Sequence, residues 1–552
     1  MNRKRVILLS IFVIVFVCIS EAQDKIHLFP DRTSCISGDT IWFNAILFNQ
    51  FSDNSGNVIH LQLDNLTNDH ITKVSVVCKG NNADGYLPIP DSLSTGVYVL
   101  KAFTNLQKSN PEAVINQRLL VVYNRFESVI NLVKVPELIS DNFENIPGIS
   151  INTSQQSLKM MDVKIDLPEN LCSEAMELIV TARLADPLAD QLSSGWISSK
   201  IEDKAEPYMA VNENKGVVVK GRVYSKTDGT SRAGTTVLLS ISDTLPYLDY
   251  CISDEQGRFF FYIRNAVGTG NLVLQELGDK TEDTGIELFQ NFVETHSLSS
   301  NEKILTNEQR SYSTNVIKAS YFNKFFYRSQ SLAKDTFSIQ KDFMYPFYGP
   351  PTESFYPELF VDLDNFAEIS REILRGVQYR VRKGQASIRM FDYGTQSIFK
   401  SEPFKLLDGI PVQDPDFFSN MGTTKIKKVD VVFYKRFFGD LDFNGVLAVY
   451  SNNPTLGWVE SLPGISLIRY ACLQPKRKWN YSNQTTRYSN MPDFKKVLLR
   501  ERLENIHSSN SFSFDISDIE GKLLIEVIIV CKDNGIYQSR KLFETGKQEA
   551  VK

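Results

Sequence analysis

The sequence predicts a mainly β protein, a row of β-sandwiches with one α+β domain among them. Three observations lead there. Apolar runs, alternating or continuous, recur between Gly-, Asn- and Asp-containing turns at roughly 8–12-residue intervals. Aromatic side chains are abundant, 36 Phe and 22 Tyr in 552 residues, and suit half-buried strands. Helical spacing is well signalled at one place, residues 364–376, where Phe366, Ile369 and Ile373 share a face, Asp364 can cap the start and Gly376 can end it.

At roughly 100–200 residues per domain the length implies about three to five domains. The formal net charge of −5 lacks the bulk basic character of a nucleic-acid binder. Residues 1–22 read as a secretory signal: Arg3-Lys4-Arg5, an apolar stretch over 6–19, and Ser20-Glu21-Ala22 before Gln23. That run is short for a membrane span. Val17 stands before Cys18 where a lipoprotein signal wants a small residue. The expectation is export through the Sec pathway to the periplasm or to association with the outer membrane, where disulfides are allowed. Cys35 with Cys78, and Cys472 with Cys531, could pair, and buried free thiols are the alternative.

Residues 23–125 read as a first sandwich. Ser37-Gly38-Asp39-Thr40 turns into 41–48, Ile59, Leu61 and Leu63 alternate with polar residues, and Ser94-Thr95-Gly96 leads into 97–104. Gly38-Asp39-Thr40-Ile41-Trp42-Phe43 and Gly96-Val97-Tyr98 resemble the second macroglobulin-type domain of bacterial envelope proteins. The macroglobulin thioester motif is absent, so a covalent protease trap is not expected. Residues 126–214 read as a second sandwich, with strands at 162–167 and 177–183 and a polar loop or short helix over 186–204.

Residues 215–295 form a third sandwich. Gly221-Arg222-Val223 and Asp254-Glu255-Gln256-Gly257-Arg258-Phe259 resemble the marks of the carboxypeptidase regulatory-like domain, a non-catalytic module that commonly precedes a receptor plug. Residues 296–355 read as a linker with a helix over 313–328, broken later by Tyr345-Pro346 and Gly349-Pro350-Pro351.

Residues 356–452 are the α+β domain. After the helix, Val377, Tyr379 and Val381 alternate with Gln378, Arg380 and Arg382. Leu407-Asp408-Gly409-Ile410-Pro411 then supplies a tight turn. Ile426, Val429, Val431 and Phe433 suit a strand, and Asn444-Gly445 turns into 446–450. Leu407-Asp408-Gly409-Ile410-Pro411, Ile426-Lys427-Lys428-Val429-Asp430-Val431 and Gly439 with Asn444-Gly445-Val446 resemble the plug domain of TonB-dependent outer-membrane receptors. The resemblance covers roughly 80 residues, a small domain. Only about 100 residues follow, too few for a barrel that encloses a plug. No TonB box lies between Gln23 and the first strand, so energised transport by this chain is not expected.

Residues 453–545 read as a last, Ig-like sandwich. Phe512, Phe514 and Ile516 alternate, and 523–530 form a strand buried on both faces. Before it, Lys476, Arg477, Lys478, Arg487, Lys495 and Lys496 are interleaved with Trp479, Tyr481 and Tyr488. Such a basic aromatic loop is either a contact for an acidic partner or lipid headgroup, or a solvated face.

Catalytic patterns are missing. The five histidines show no metal-ligand spacing, and there is no nucleophile elbow or phosphate-cradling loop. Asp440-x-Asp442-x-Asn444-Gly445 imitates the start of a calcium loop, but Ser451 stands where the bidentate Glu belongs. No enzyme activity, cofactor or metal is therefore expected. The resemblances imply a binding or scaffolding subunit docked to an outer-membrane β-barrel, either a TonB-dependent transporter or an assembly complex. A soluble or surface glycan- or peptide-binding protein is the alternative. The candidate partner-binding residues are Asp408, Gly409 and Pro411 of the plug-like turn, and Arg477, Trp479 and Tyr481 of the basic loop.

Overall fold

Strands form where the β-branched and aromatic runs predict them, and their pairing sorts the chain into two units. The structure, a computed structural model, describes residues 25–48, 58–110, 113–127, 129–137, 141–142, 148–157, 160–192, 195–201, 213, 216–242, 246–278, 281–289, 292–326, 337–339, 345–462, 464–477, 493–533 and 535–544. The signal-like segment 1–22 lies outside them. One unit comprises Met1–Lys215, Asn291–Asp335 and Leu473–Lys552, the other Gly216–Gln290 and Thr336–Cys472. The architecture is mainly β, as expected. Among the described residues no helix is long and apolar enough to cross a membrane.

In the first unit, Thr40–Phe48 pairs with Lys25–Pro30 on one edge and Asn82–Pro88 on the other. A second sheet runs in the order Asp141–Asn142, Gly195–Lys200, Val114–Tyr123, Gly96–Phe103, Val58–Asp64 and His70–Val77. Leu28, Phe43, Leu61, Leu100 and Leu120 share the core of this sandwich. The sheet also takes in Gly195–Lys200, beyond the expected boundary at residue 125. On Lys25–Pro30, the buried His27 ring lies edge-on to Phe48 at 5.4 Å and to Trp196 at 5.0 Å. Among the described residues neither of its nitrogens has a hydrogen-bond partner. Burial first, then the charges of Lys25 and Arg118, lower its pKa to about 3.

The second sandwich corrects the expected domain plan. Ser150–Ser157, Met160–Asp166 and Ser509–Asp515 form one sheet. Val497–Leu503, Ala175–Leu184, Lys522–Cys531 and Ile536–Glu544 form the other. Segments 126–214 and 453–545, read as separate sandwiches, thus share one core with Val163, Val180, Phe514 and Val527. The reason lies in Ala175–Leu184. It is buried almost throughout and needs partners on both edges, and both come from the far end of the chain.

Residues read as a linker are likewise structural. Ser300–Ile304 pairs with Leu132–Pro136, and the helix Asn307–Phe326 packs Val316, Ile317 and Ala319 onto the first sandwich. The helix starts earlier than residue 313 because Thr306 and Gln309 make a reciprocal capping box, with backbone N–H to side-chain distances of 3.3 and 3.0 Å.

In the second unit, Val217–Ser225 lies between Arg258–Ile263 and Thr284–Leu288. The facing sheet is Tyr247–Ile252, Thr236–Ile241, Thr269–Glu276 and Ile465–Ala471. Its last strand comes from the segment 453–545, expected to form the C-terminal sandwich. Asp254 organises the 254–259 turn by accepting the Gln256 and Arg258 backbone N–H groups at 3.0 and 2.8 Å.

The remainder is an α+β sheet in the order Glu353–Phe355, Ile426–Val432, Val446–Ser451, Phe404–Leu407, Ile410–Pro411. Phe404–Leu407 runs parallel to Val446–Ser451. The helix Phe366–Glu372 and the hairpin Val377–Arg382/Gln385–Asp392 pack Phe366, Ile369, Tyr379 and Ile388 into its core. Asn365, not Asp364, caps the helix, accepting the Glu368 N–H at 3.0 Å. The described cysteines are free thiols, so neither disulfide pairing forms.

Two outcomes are expected. The imidazole of His27 stays neutral in the fold but titrates near 6.5 when unfolded. Its contribution to stability is therefore complete above pH 6.5 and lost as pH falls from there towards about 3. Urea midpoints of His27→Phe and wild type should diverge on acidification, with wild type losing about 2 kcal/mol more by pH 5. Gly409 and Gly384 both have positive φ, 84° and 79°. A Cβ on Gly409 would meet Pro246 Cβ at 2.4 Å, whereas one on Gly384 meets nothing within 4 Å. Gly384→Ala should cost about 1 kcal/mol and Gly409→Ala about 1–3 kcal/mol more, read from the same midpoints.

Candidate docking surfaces

The plug-like turn is built for the interior. Asp408 and Gly409 form a two-residue hairpin turn with φ of 49° and 84°, and Leu407 pairs with Ile410 across it. The Asp408 carboxylate accepts the Ser451 backbone N–H and hydroxyl, each at 2.7 Å. Gly409 abuts Pro246, Ile410 packs with Val273 and Val459, and Pro411 is buried. Asp408, Gly409 and Pro411, expected to face a partner, instead hold the second unit together. A second turn does likewise, with the Asp440 N–H donating to Tyr250 Oη at 2.9 Å and Phe438 lying 5.5 Å from the Tyr250 ring.

The calcium-like spacing is also spent on structure. Asp442 pairs with Lys435, and Ser451 belongs to Asp408. Among the described residues no group of three or more His, Cys, Asp or Glu could hold a metal.

Of the basic loop, Arg477 is described and Trp479 and Tyr481 lie outside the described residues. Arg477 is half-buried with its guanidinium 5.1 Å from the Tyr86 ring centre. The Gln474 side chain brackets the Tyr86 backbone, accepting its N–H at 2.8 Å and donating to its carbonyl. These contacts bind residues 473–477 to the first unit's own sheet.

A titratable cluster that no motif announced lies in the first unit. His60 hydrogen-bonds Ser75 Oγ at 2.8 Å through Nδ1 and Glu213 at 2.6 Å through Nε2. Burial lowers the His60 pKa, and the Glu213 carboxylate opposes that shift. Next to it, Gln62 exchanges hydrogen bonds of 2.9 Å with both backbone groups of Val293, and Asp64 pairs with Lys101 at 2.6 Å. These side chains share one face of Val58–Asp64, since alternate residues point the same way. Ser75, His60 and Glu213 are 4%, 2% and 3% exposed. The network therefore clasps residues 213 and 292–296 onto the sheet, with the serine hydroxyl closed off from a substrate.

A run of exposed apolar side chains lies on the second unit, at residues 356–361. Leu359 and Val361 are 76% and 73% exposed, with Tyr356 and Phe360 beside them. Pro357 opens a single turn in which the Leu359 and Phe360 N–H groups donate to the Tyr356 and Pro357 carbonyls, each at 3.0 Å. Downstream, the Leu363 N–H donates to Thr423 Oγ1 at 3.0 Å, and the Thr423 N–H returns to the Leu363 carbonyl at 2.9 Å. Pro357 is buried, so both ends of the loop are pinned while its apolar side chains stand in solvent. Glu358, Asp362 and Asp364 rim it and are exposed. The sequence signal was Leu-Phe-Val without alternation, wedged between a proline and an acidic helix start.

No protein-family model matches the chain, and no curated protein matches it. Among solved structures, trypsin-activated alpha-2-macroglobulin from Escherichia coli aligns at 9% identity and a TM-score of 0.22, over 94% of this chain and 41% of that one. Salmonella alpha-2-macroglobulin reacted with methylamine aligns at 8% and 0.23, over 94% and 39%. A DUF4785 family protein from Legionella pneumophila aligns at 7% and 0.14, over 51% and 57%. The chain thus spans about two fifths of the length of these macroglobulins.

Proposed function

We propose that this protein is a non-catalytic, exported envelope protein, a binding and scaffolding subunit that docks through its second unit on an outer-membrane β-barrel complex. The observation that supports this most is the pinned loop carrying Leu359, Phe360 and Val361 in solvent. Consecutive exposed apolar side chains weaken solubility and are kept where they meet a partner. Both loop ends are already fixed, so little ordering is left to oppose binding. The carboxylates of Glu358, Asp362 and Asp364 favour a partner whose apolar pocket has a basic rim. That the partner is a barrel follows from the resemblance of residues 403–450 to receptor plugs.

The test is mild-detergent co-purification of the tagged protein from native envelopes, beside a Leu359→Ser/Phe360→Ser/Val361→Ser variant. Wild type should bring a stoichiometric β-barrel. The variant should bind it about a hundredfold more weakly, on the scale of lost hot-spot contacts, with an unchanged urea midpoint. A barrel retained equally by the variant would move docking away from this loop, and wild type recovered alone would overturn the proposal.

A further inference from the structure

The hairpin Val377–Arg382/Gln385–Asp392 carries a charge pattern that the core does not require. Its inner face bears Val377, Tyr379, Ile388 and Met390, all buried. Gln378, Arg380 and Arg382 project from the opposite face of one strand, and Gln385, Ser387 and Arg389 from that of the other. In register, Gln378 faces Arg389, Arg380 faces Ser387 and Arg382 faces Gln385. Lys383 sits at the turn, and Arg380, Arg382, Lys383 and Arg389 are exposed.

The chain is acidic overall at −5. Across residues 373–400, however, Arg375, Arg380, Arg382, Lys383, Arg389 and Lys400 are set against Asp392 alone. Asp392 is buried and accepts from its own turn, from the Gly394 N–H at 2.9 Å and the Thr395 hydroxyl at 2.8 Å. Glu402, beside the second strand, accepts the Ile388 N–H at 3.0 Å and pairs with Lys405. Arg380, Arg382, Lys383 and Arg389 therefore form no ion pair among the described residues. Leaving this many cations side by side costs repulsion that an anionic surface would relieve.

We infer that the hairpin is a docking face for the phosphate headgroups of anionic lipids. Two features favour lipid over an acidic protein. The outer face alternates arginine with short polar residues and has no apolar centre of the kind that anchors protein interfaces. At its margin stands Ile398, 45% exposed and paired with Phe391, where it can enter the headgroup layer. Guanidinium groups fork onto phosphate oxygens, as they do onto carboxylates, better than a point charge does. Arg380 and Arg382 project roughly 7 Å apart along the strand, so separate headgroups can be engaged without bending the hairpin. This inference stands apart from the docking reading, since neither Leu359 nor any barrel enters it.

The purified protein is floated with vesicles of phosphatidylcholine mixed with phosphatidylglycerol, and with phosphatidylcholine alone. Binding is expected to the mixed vesicles only and should fall as salt is raised. Arg380→Glu/Arg382→Glu/Arg389→Glu should weaken it by about a hundredfold or more. The matching triple lysine variant should retain most of it, and an unchanged urea midpoint would show that both variants fold. Wild type indifferent to phosphatidylglycerol, or the glutamate variant binding as wild type does, overturns the inference. Capture of an acidic envelope protein without vesicle binding does so too.

Discussion

The first unit depends on one strand pair, Ala175–Leu184 against Lys522–Cys531. Both strands are buried along nearly their whole length, and after a register shift between Ala175 and Glu177 they run in register from Glu177 opposite Val530 to Leu184 opposite Leu523. The pair carries charge into the core. Glu526 lies opposite Thr181 and is held ionised, with its pKa lowered to about 2: burial resists ionisation, and Arg540, Arg183 and Arg118 overcome it. Arg183 in turn grips Asp190 with contacts of 3.1 and 2.5 Å. A register slip would move these groups to the wrong face and leave buried charges unpaired, a large penalty. The register is thus set by electrostatics as well as by apolar packing.

The same pair dictates the order of the chain. Both pieces of the second unit fall between its strands in sequence. Loop-closure entropy grows slowly, by only about 0.6 kcal/mol per doubling of loop length, so long insertions are tolerated. The burden falls on kinetics, because contacts this distant form late. Ala175–Leu184 must stay unpaired until the C-terminal strands are made. The second unit repeats the device on a smaller scale, with Ile465–Ala471 returning to pair with Thr269–Glu276.

Local features were legible in the sequence and distant partners were not. The turn at Asp408-Gly409 could be read because Gly accepts positive φ, and the strand at 523–530 because its apolar run is continuous. Neither reading says what lies alongside. That Pro246 fills the space over Gly409 depends on tertiary packing, and a motif's match to a family leaves open whether its residues face inward or outward. The segments 126–214 and 453–545 each showed convincing strands, but edge pairing carries no sequence mark. The start of the helix at Asn307 is marked by the capping-box spacing of Thr306 and Gln309 and not by apolar periodicity, which shows only further along. The loop at 356–361 shows in the sequence only as a short apolar run after Pro357, too short for its period to say whether it faces the core or solvent.

This division of labour bears on where function can reside. Residues that carry the plug-like signature are consumed by folding: Asp408 by Ser451, Gly409 by Pro246, and the next turn by Tyr250. Such positions are constrained by packing whatever the partner, so a signature on them reports architecture. Binding has to use side chains that the fold leaves free. On the second unit these have opposite characters, an apolar loop rimmed by carboxylates at 356–364 and a cationic hairpin at 377–389. Both stand on backbone that internal hydrogen bonds already fix. Surfaces held this way lose little entropy on contact, and the two proposed surfaces differ in chemistry enough to suit different kinds of partner.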